Sequence, residues 1–186
     1  VLLTVANGII ATGIPVFDVQ ILQELGITRG ALKFRDFVQI MSAGCAGLGI
    51  GYLATRVHPR RIAQAGLALL VLALLVYGRV RDVRDIYLLH VLLGFCYSSA
   101  HAIIVVLVVQ RWFATHRAGA TGIALAGTSL GSAIFPQIGV WLIDQYGWRL
   151  GLQAFAVFPL LLLPLLLVFL KEGPESIGAT RHGETT

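Results

Sequence analysis

The sequence predicts an all-α membrane protein built from six transmembrane helices. Hydrophobic residues make up 57% of the 186 residues, and charged residues make up only 12%. A soluble domain has about twice that charged share, so the composition and the mean hydropathy of +0.84 indicate a lipid environment. Six apolar runs come close to the roughly 20 residues that a helix needs to cross a bilayer. Short charged loops separate these runs, so we expect an integral, multi-pass membrane protein.

The predicted helices are almost free of charged residues. Their ranges are 1–22, 37–55, 62–78, 86–109, 118–143 and 150–170. Helices 2 to 6 contain no Asp, Glu, Lys or Arg within these bounds, a composition that soluble proteins rarely repeat in so many helices. Residues 1–170 are therefore predicted to form one transmembrane bundle. Residues 171–186 are polar and contain glycine and proline, which is typical of a flexible linker or tail.

No pattern for catalysis or metal binding accompanies these helices. The chain has no GxSxG, HExxH or Walker-type motif, and Cys45 and Cys96 lie singly in apolar runs. The net charge of +5 comes from arginines between the apolar runs rather than along one face, which argues against nucleic acid as a partner. We expect a protein that is not an enzyme, uses no metal or cofactor, and has the lipid bilayer as its surroundings.

A glycine-rich run that ends in a basic turn stands between helices 2 and 3. Residues 44–61 are GCAGLGIGYLATRVHPRR, and a basic turn directly after a span marks a membrane surface. An altered copy follows 89 positions later, with IGYLATRVHPR at 50–60 and GVWLIDQYGWR at 139–149. The copies stand at the ends of helices 2 and 5. If there are six spans, these two ends lie on opposite faces of the membrane. They therefore indicate two inverted three-helix repeats, as in many secondary transporters.

These motifs resemble those of the major facilitator superfamily. Residues 51–61 fit the Gly-x-Leu-Ala-Asp-Arg-x-Gly-x-Arg-Arg pattern that the family places between helices 2 and 3, with Thr55 for Asp and His58 for Gly. Residues 144–149, DQYGWR, resemble the family's entry to helix 6. The segment GPESIG at 173–178 resembles the linker of the monocarboxylate-porter-like and oxalate/formate-exchanger-like branch. The resemblance implies the N-terminal half of a twelve-helix transporter whose C-terminal six-helix half is its partner.

The resemblance also implies a function. We expect secondary active transport of a small solute by alternating access, with symport or antiport of a proton or another anion. The branch favours a small organic anion as substrate. No Lys or Arg lies within a predicted span, so the other half would have to supply the positively charged side chain that pairs with this anion. The alternative is a six-helix membrane scaffold or assembly subunit without transport. The expected location is the inner membrane of a bacterium, with residues 171–186 and the loop between helices 2 and 3 in the cytoplasm.

The basic turn has two interpretations. In one, it is a solvated turn that only fixes topology. In the other, which the family implies, it is a cytoplasmic gating motif in which Arg56 contacts the start of helix 5 or the partner half. The residues of this predicted motif are Gly51, Thr55, Arg56, Arg60 and Arg61.

Helix 4 carries polar residues on one face. His90, Gly94, Tyr97 and His101 follow at spacings of four, three and four. An ionisable group deep in a span usually faces the bundle interior or a water-filled cavity, and histidine titrates near neutral pH. His101 is therefore a candidate for contact with substrate or proton, the alternative being a neutral histidine bonded to a nearby serine. His90 is expected to be an ordinary residue at the membrane interface.

Helix 1 carries a second polar stripe. It includes Asn7 and Asp18, and Asp18 either faces the cavity or lies at the outer boundary with its carboxylate in water. Helices 1 and 4 line the central path in the family. The predicted cavity residues are therefore Asn7, Asp18, Tyr97 and His101. Small residues at helical spacing are expected to let helices pack closely, and these are Gly47, Gly127 and Gly131.

Overall fold

The computed structural model describes residues 1–100, 102–113 and 115–169, and nearly all of them are helical. We number six elements along the chain. They are α1 (Leu2–Leu25), α2 (Arg29–Leu53), α3 (Pro59–Tyr77), α4 (Val83–Trp112), α5 (Arg117–Phe155) and α6 (Val157–Phe169). The predicted polar tail at 171–186 lies outside the described residues.

Four segments of the described chain are long and apolar enough to cross a membrane. They are Leu2–Leu25, Pro59–Tyr77, Val83–Trp112 and Arg117–Val168. The last of these combines α5 and α6 in 52 residues, but the helix is broken at Gly147, whose φ of 73° and ψ of 171° are not helical. Only glycine adopts such a backbone conformation readily. The element α2 is less apolar, because charged residues occupy its first turns and glycines occupy its second half.

The start of α2 corrects the sequence prediction. Helix 2 was expected to begin at residue 37, with the preceding charged residues in a loop. It begins at Arg29, because the Thr28 hydroxyl accepts a hydrogen bond from the amide of Ala31 at 3.2 Å and caps the helix. Lys33 and Arg35 are therefore helical residues within α2.

The element α1 is continuous but not regular. A π-helical turn spans Gly8–Gly13 and a 3₁₀ turn spans Ile14–Phe17. Pro15 lies in the 3₁₀ turn and lacks the amide that a regular α-helix requires. The Thr12 hydroxyl donates to the carbonyl oxygen of Gly8 at 2.8 Å within the wider turn. These turns interrupt the regular α-helical hydrogen bonding of α1 where its residues are buried.

The core surrounds α1, which packs closely on α5. A Cβ atom added to Gly8 would lie 2.8 Å from the Cα atom of Gly131, and one added to Gly127 would lie 2.9 Å from the Thr4 hydroxyl oxygen. Both distances are too short, so glycine is required at this crossing. The hydrophobic core continues through Ile9, Phe17, Ile21, Leu70, Leu74 and Phe155, all fully or almost fully buried. Gly47 of α2 is less crowded, with the Ser98 hydroxyl 4.0 Å from its added Cβ.

Candidate functional site

A cavity of about 470 Å³ lies between α1, α2 and α4. Its apolar wall includes Ile10, Ile14 and Pro15 from the irregular part of α1. Its polar side chains are Lys33, Arg35, Asp36, Gln39, His90 and Tyr97. The cavity is large enough for a small organic molecule and has positive groups on its wall.

The guanidinium group of Arg35 is the central charged group of this cavity. Its side chain is 0% exposed, and each nitrogen has a hydrogen-bond partner. Nη2 donates to Oδ1 of Asp18 on α1, Nε donates to Oδ1 of Asp36 at 3.3 Å, and Nη1 donates to the Tyr77 hydroxyl at 3.4 Å. A buried charge is stable only when it is paired and hydrogen-bonded. These contacts therefore hold a cation in place at the boundary of α1, α2 and α3.

Lys33 joins the same charge cluster from its solvent side. Its ammonium nitrogen lies 3.0 Å from Oδ2 of Asp18 and 3.3 Å from Oδ2 of Asp36. The side chain of Lys33 is 55% exposed, whereas that of Asp18 is only 14% exposed. Two cations and two carboxylates thus balance one another, and Asp18 is the member of the cluster that α1 contributes.

His90 lies beside this cluster, contrary to the prediction of an interfacial residue. It is 1% exposed, and its ring meets that of Tyr77 edge to face with centroids 5.6 Å apart. Nδ1 lies 2.9 Å from the carbonyl oxygen of Ile86. This contact requires the proton on Nδ1, which leaves Nε2 as the nitrogen that can accept a proton. The spacing of polar residues along α4 could not show that α2 and α3 bury His90.

Three of the predicted cavity residues, Asn7, Asp18 and Tyr97, make two separate sets of contacts. The Tyr97 hydroxyl donates to Oδ1 of Asn7 at 3.4 Å, which joins α4 to α1. Asp18 lies further along α1 and contacts Arg35 and Lys33 instead. His101 lies outside the described residues.

Sequence reasoning missed Arg35, because the residue was assigned to a loop. Two features of the sequence could have indicated it. Thr28 is a suitable cap three residues before Ala31, and a helix that starts there places Arg35 one turn after the buried Leu32. The partner from α1 could not be read from the sequence.

The predicted gating turn makes mainly local contacts at its first residues. The Thr55 hydroxyl donates to the carbonyl oxygen of Tyr52 at 2.8 Å, and the Arg56 guanidinium carbon lies 5.0 Å from the centre of the Tyr52 ring. Gly51 has open space where a Cβ would be. Contact of Arg56 with the start of α5 remains a prediction.

The later residues of the turn reach distant helices. Nη1 of Arg111, near the end of α4, lies 2.8 Å from Nδ1 of His58. Arg60 donates from Nη2 to the carbonyl oxygen of Leu167 near the end of α6 at 2.5 Å. The turn therefore ties the start of α3 to the ends of two other helices. Arg61 is exposed beside them.

The second copy of the motif forms a corresponding cluster. Nη1 of Arg149 donates to the carbonyl oxygens of Gly78 at 3.0 Å and Val80 at 2.7 Å, just after α3 ends. Nη2 of Arg149 also lies 2.8 Å from Oε1 of Glu24. The indole nitrogen of Trp148 donates to the other oxygen of the same carboxylate. This cluster ties the end of α1 and the end of α3 to the residues after the break at Gly147.

No group of three or more His, Cys, Asp or Glu side chains suited to a metal ion occurs among the described residues. The charged groups of the cavity are instead matched cations and carboxylates.

Comparison with known proteins shows the family to which this chain is similar. The family model described as Major Facilitator Superfamily matches residues 1–185. A gallate transporter of Pseudomonas putida is 30% identical over 167 residues, which cover 86% of this chain and 35% of that protein. An agnestins efflux protein of Paecilomyces divaricatus is 31% identical over 127 residues, covering 67% of this chain and 29% of that protein.

A further relative is monocarboxylate transporter 13 of Rattus norvegicus. It is 28% identical over 100 residues, which cover 52% of this chain and 23% of that protein. The chain thus spans about a third of the length of the gallate transporter and of the agnestins efflux protein.

Proposed function

Because this chain belongs to the Major Facilitator Superfamily, we propose that it forms the N-terminal half of a carrier that moves a small organic anion across a membrane by alternating access. The observation that carries the proposal is the buried guanidinium group of Arg35 on the wall of the 470 Å³ cavity. The superfamily prediction made from the sequence motifs is confirmed, as is the prediction of a transporter family rather than an enzyme family.

An organic anion is favoured by the chemistry of the cavity. Arginine presents a planar set of donors that matches a carboxylate, and it keeps its charge in a buried site. The absence of a cation within the predicted spans counted against this substrate class, but Arg35 lies within α2 and is fully buried. The names of two relatives, a gallate transporter and a monocarboxylate transporter, agree with a carboxylate.

Alternating access is supported by the pairing of the two basic motifs. Arg60 and Arg149 are 89 positions apart, and so are the residues whose carbonyl oxygens they contact, Gly78 and Leu167. One contact joins the start of α3 to the end of α6, and the other joins the end of α3 to the start of the helix after Gly147. This reciprocity is expected of two inverted three-helix repeats with six spans in total. The second six-helix half would complete the path.

Transport of an anion can be tested by uptake into proteoliposomes. The protein that carries this chain is reconstituted, and uptake of labelled gallate is compared with that of pyrogallol, the same ring without the carboxylate. We expect concentrative uptake of gallate and none of pyrogallol, because only the carboxylate can pair with Arg35. Equal uptake of both compounds would contradict an anion site. No uptake of gallate or of other aromatic and aliphatic monocarboxylates would favour the scaffold alternative.

A further inference from the structure

We propose that Asp18 is a built-in competitor for the anion site, and that a substrate carboxylate must displace it from Arg35. The inference rests on the proposed function, because it assumes that the cavity takes an organic anion. It assigns to Asp18 a positioning role that links binding to the separation of α1 from α2.

The carboxylate of Asp18 already lies in the arrangement of a bound anion. One oxygen accepts from Nη2 of Arg35, and the other lies 3.0 Å from the ammonium nitrogen of Lys33. Each oxygen therefore has its own cation. A substrate carboxylate of the same size would use the same two groups.

The cavity borders both cations, and of the two side chains Lys33 is 55% exposed and Arg35 is 0% exposed. Lys33 and Arg35 line it, together with Ile14 and Pro15 of α1. All three guanidinium nitrogens of Arg35 already have partners, namely Asp18, Asp36 and Tyr77. These bonds use three of the five guanidinium N–H groups, and the Arg35 side chain is 0% exposed, so a substrate can form a two-point contact with it only if one of these partners leaves.

Asp18 is the partner whose departure has a consequence for the fold. Asp36 neighbours Arg35 in the same helix, is 45% exposed, and lies at longer distances of 3.3 Å from both cations. It can stay near them whether or not a substrate is bound. Asp18 alone among the three contributes a bond from α1, so its release removes the ionic link between α1 and α2.

Competition of this kind makes a specific prediction about affinity. Removing the charge of Asp18 takes one of the two carboxylates away from Arg35 and Lys33, so the Asp18→Asn variant should bind anions more tightly. Without an anion, the same variant should be less stable, because a buried guanidinium group loses a charged partner. A hydrogen bond between charged groups is strong enough for the change in affinity to be about tenfold or more.

The experiment measures binding of benzoate and acetate to the purified protein that carries this chain, by calorimetry and by thermal unfolding. Asp18→Asn is expected to bind at least one of them about tenfold more tightly than the wild type, and saturating anion should restore the melting temperature lost by the substitution. Asp18→Glu keeps the negative charge of the competitor and should not show this gain in affinity. Asp144→Asn removes an exposed carboxylate from α5 and serves as the matched control.

Three results would overturn the inference in different ways. If the wild type binds a carboxylate and Asp18→Asn binds it equally or more weakly, Asp18 is not a competitor, but the anion function stands. If neither protein binds either carboxylate, the proposed anion function fails together with the inference. A double variant, Asp18→Asn with Arg35→Gln, should regain stability and lose the response to anion. A response that persists in it would also contradict the assignment.

Discussion

Arg60 donates a hydrogen bond to the carbonyl oxygen of Leu167, 107 residues further along the chain. Arg149, which lies 89 positions after Arg60, makes a corresponding contact. It donates to the carbonyl oxygen of Gly78, which lies 89 positions before Leu167. Carbonyl groups in the last turn of a helix have no partner within the helix, and arginine side chains can satisfy them. Arg60 therefore fastens the start of α3 to the end of α6, and Arg149 fastens the end of α3 to the last part of α5.

The cluster around Arg149 is expected to stabilise the bundle. Arg149→Gln removes its ion pair with Glu24 and its hydrogen bonds to Gly78 and Val80. We expect the free energy of unfolding to fall by about 1–3 kcal/mol, the usual range for losing bonds to a charged group. Thermal unfolding in detergent measures the change. Arg81→Gln, in the neighbouring loop, is the control, and an equal loss there would show that only the general charge matters.

The contact of Arg60 predicts an effect that is confined to the end of α6. Arg60→Gln loses the bond to Leu167, so the end of α6 should become more accessible. Hydrogen exchange of α6 amides near Leu167 should become faster, while amides near Gly78 keep their wild-type rates. Equal acceleration at both ends would mean that the two arginines do not act locally.

The crossing of α1 and α5 leaves no room for a methyl group. Gly131→Ala would push a Cβ atom against the carbonyl group of Thr4 and the Cα atom of Gly8. Overpacking of this kind costs about 1–3 kcal/mol, so the melting temperature should drop. Gly122→Ala on the same helix has open space and should be neutral or stabilising by up to about 1 kcal/mol. Equal melting temperatures of the two variants would contradict the close approach.

The hydroxyl of Tyr77 is expected to support the buried cation. Tyr77→Phe keeps the ring, which packs on His90, but removes the acceptor for Nη1 of Arg35. Leaving one donor unpaired costs about 1–3 kcal/mol, which should appear as a lower melting temperature. Tyr146→Phe, at an exposed site, is the matched control. A similar loss in the control would indicate that the Tyr77 hydroxyl has no special role.

The all-helical, membrane-spanning class of the fold could be predicted from the sequence, because membrane helices are recognisable by their length and apolarity. The motif at residues 51–61 and its copy at residues 139–149 also indicated the family correctly. The break at Gly147 falls within the second motif, and the glycine of DQYGWR is the residue that permits it. The assignment of the family and the position of the break both depend on local sequence alone.

The centre of the candidate site could not be predicted in the same way. Arg35 was placed in a loop, since a charged residue next to an apolar run is normally solvated. It is buried because α2 starts eight residues earlier than predicted and because Asp18, 17 residues away, neutralises it from another helix. Composition and spacing describe one helix at a time, whereas this pairing depends on how two helices pack.

The most direct test of the account is the effect of Arg35→Gln on uptake of a carboxylate into proteoliposomes, with Arg29→Gln as the control. Both residues lie on α2, but Arg29 is exposed and Arg35 is buried against the cavity. We predict that Arg35→Gln lowers uptake by about tenfold or more while the protein still inserts, and that Arg29→Gln keeps the wild-type rate. Wild-type uptake by a correctly inserted Arg35→Gln protein would contradict the claim that this guanidinium group binds the transported anion.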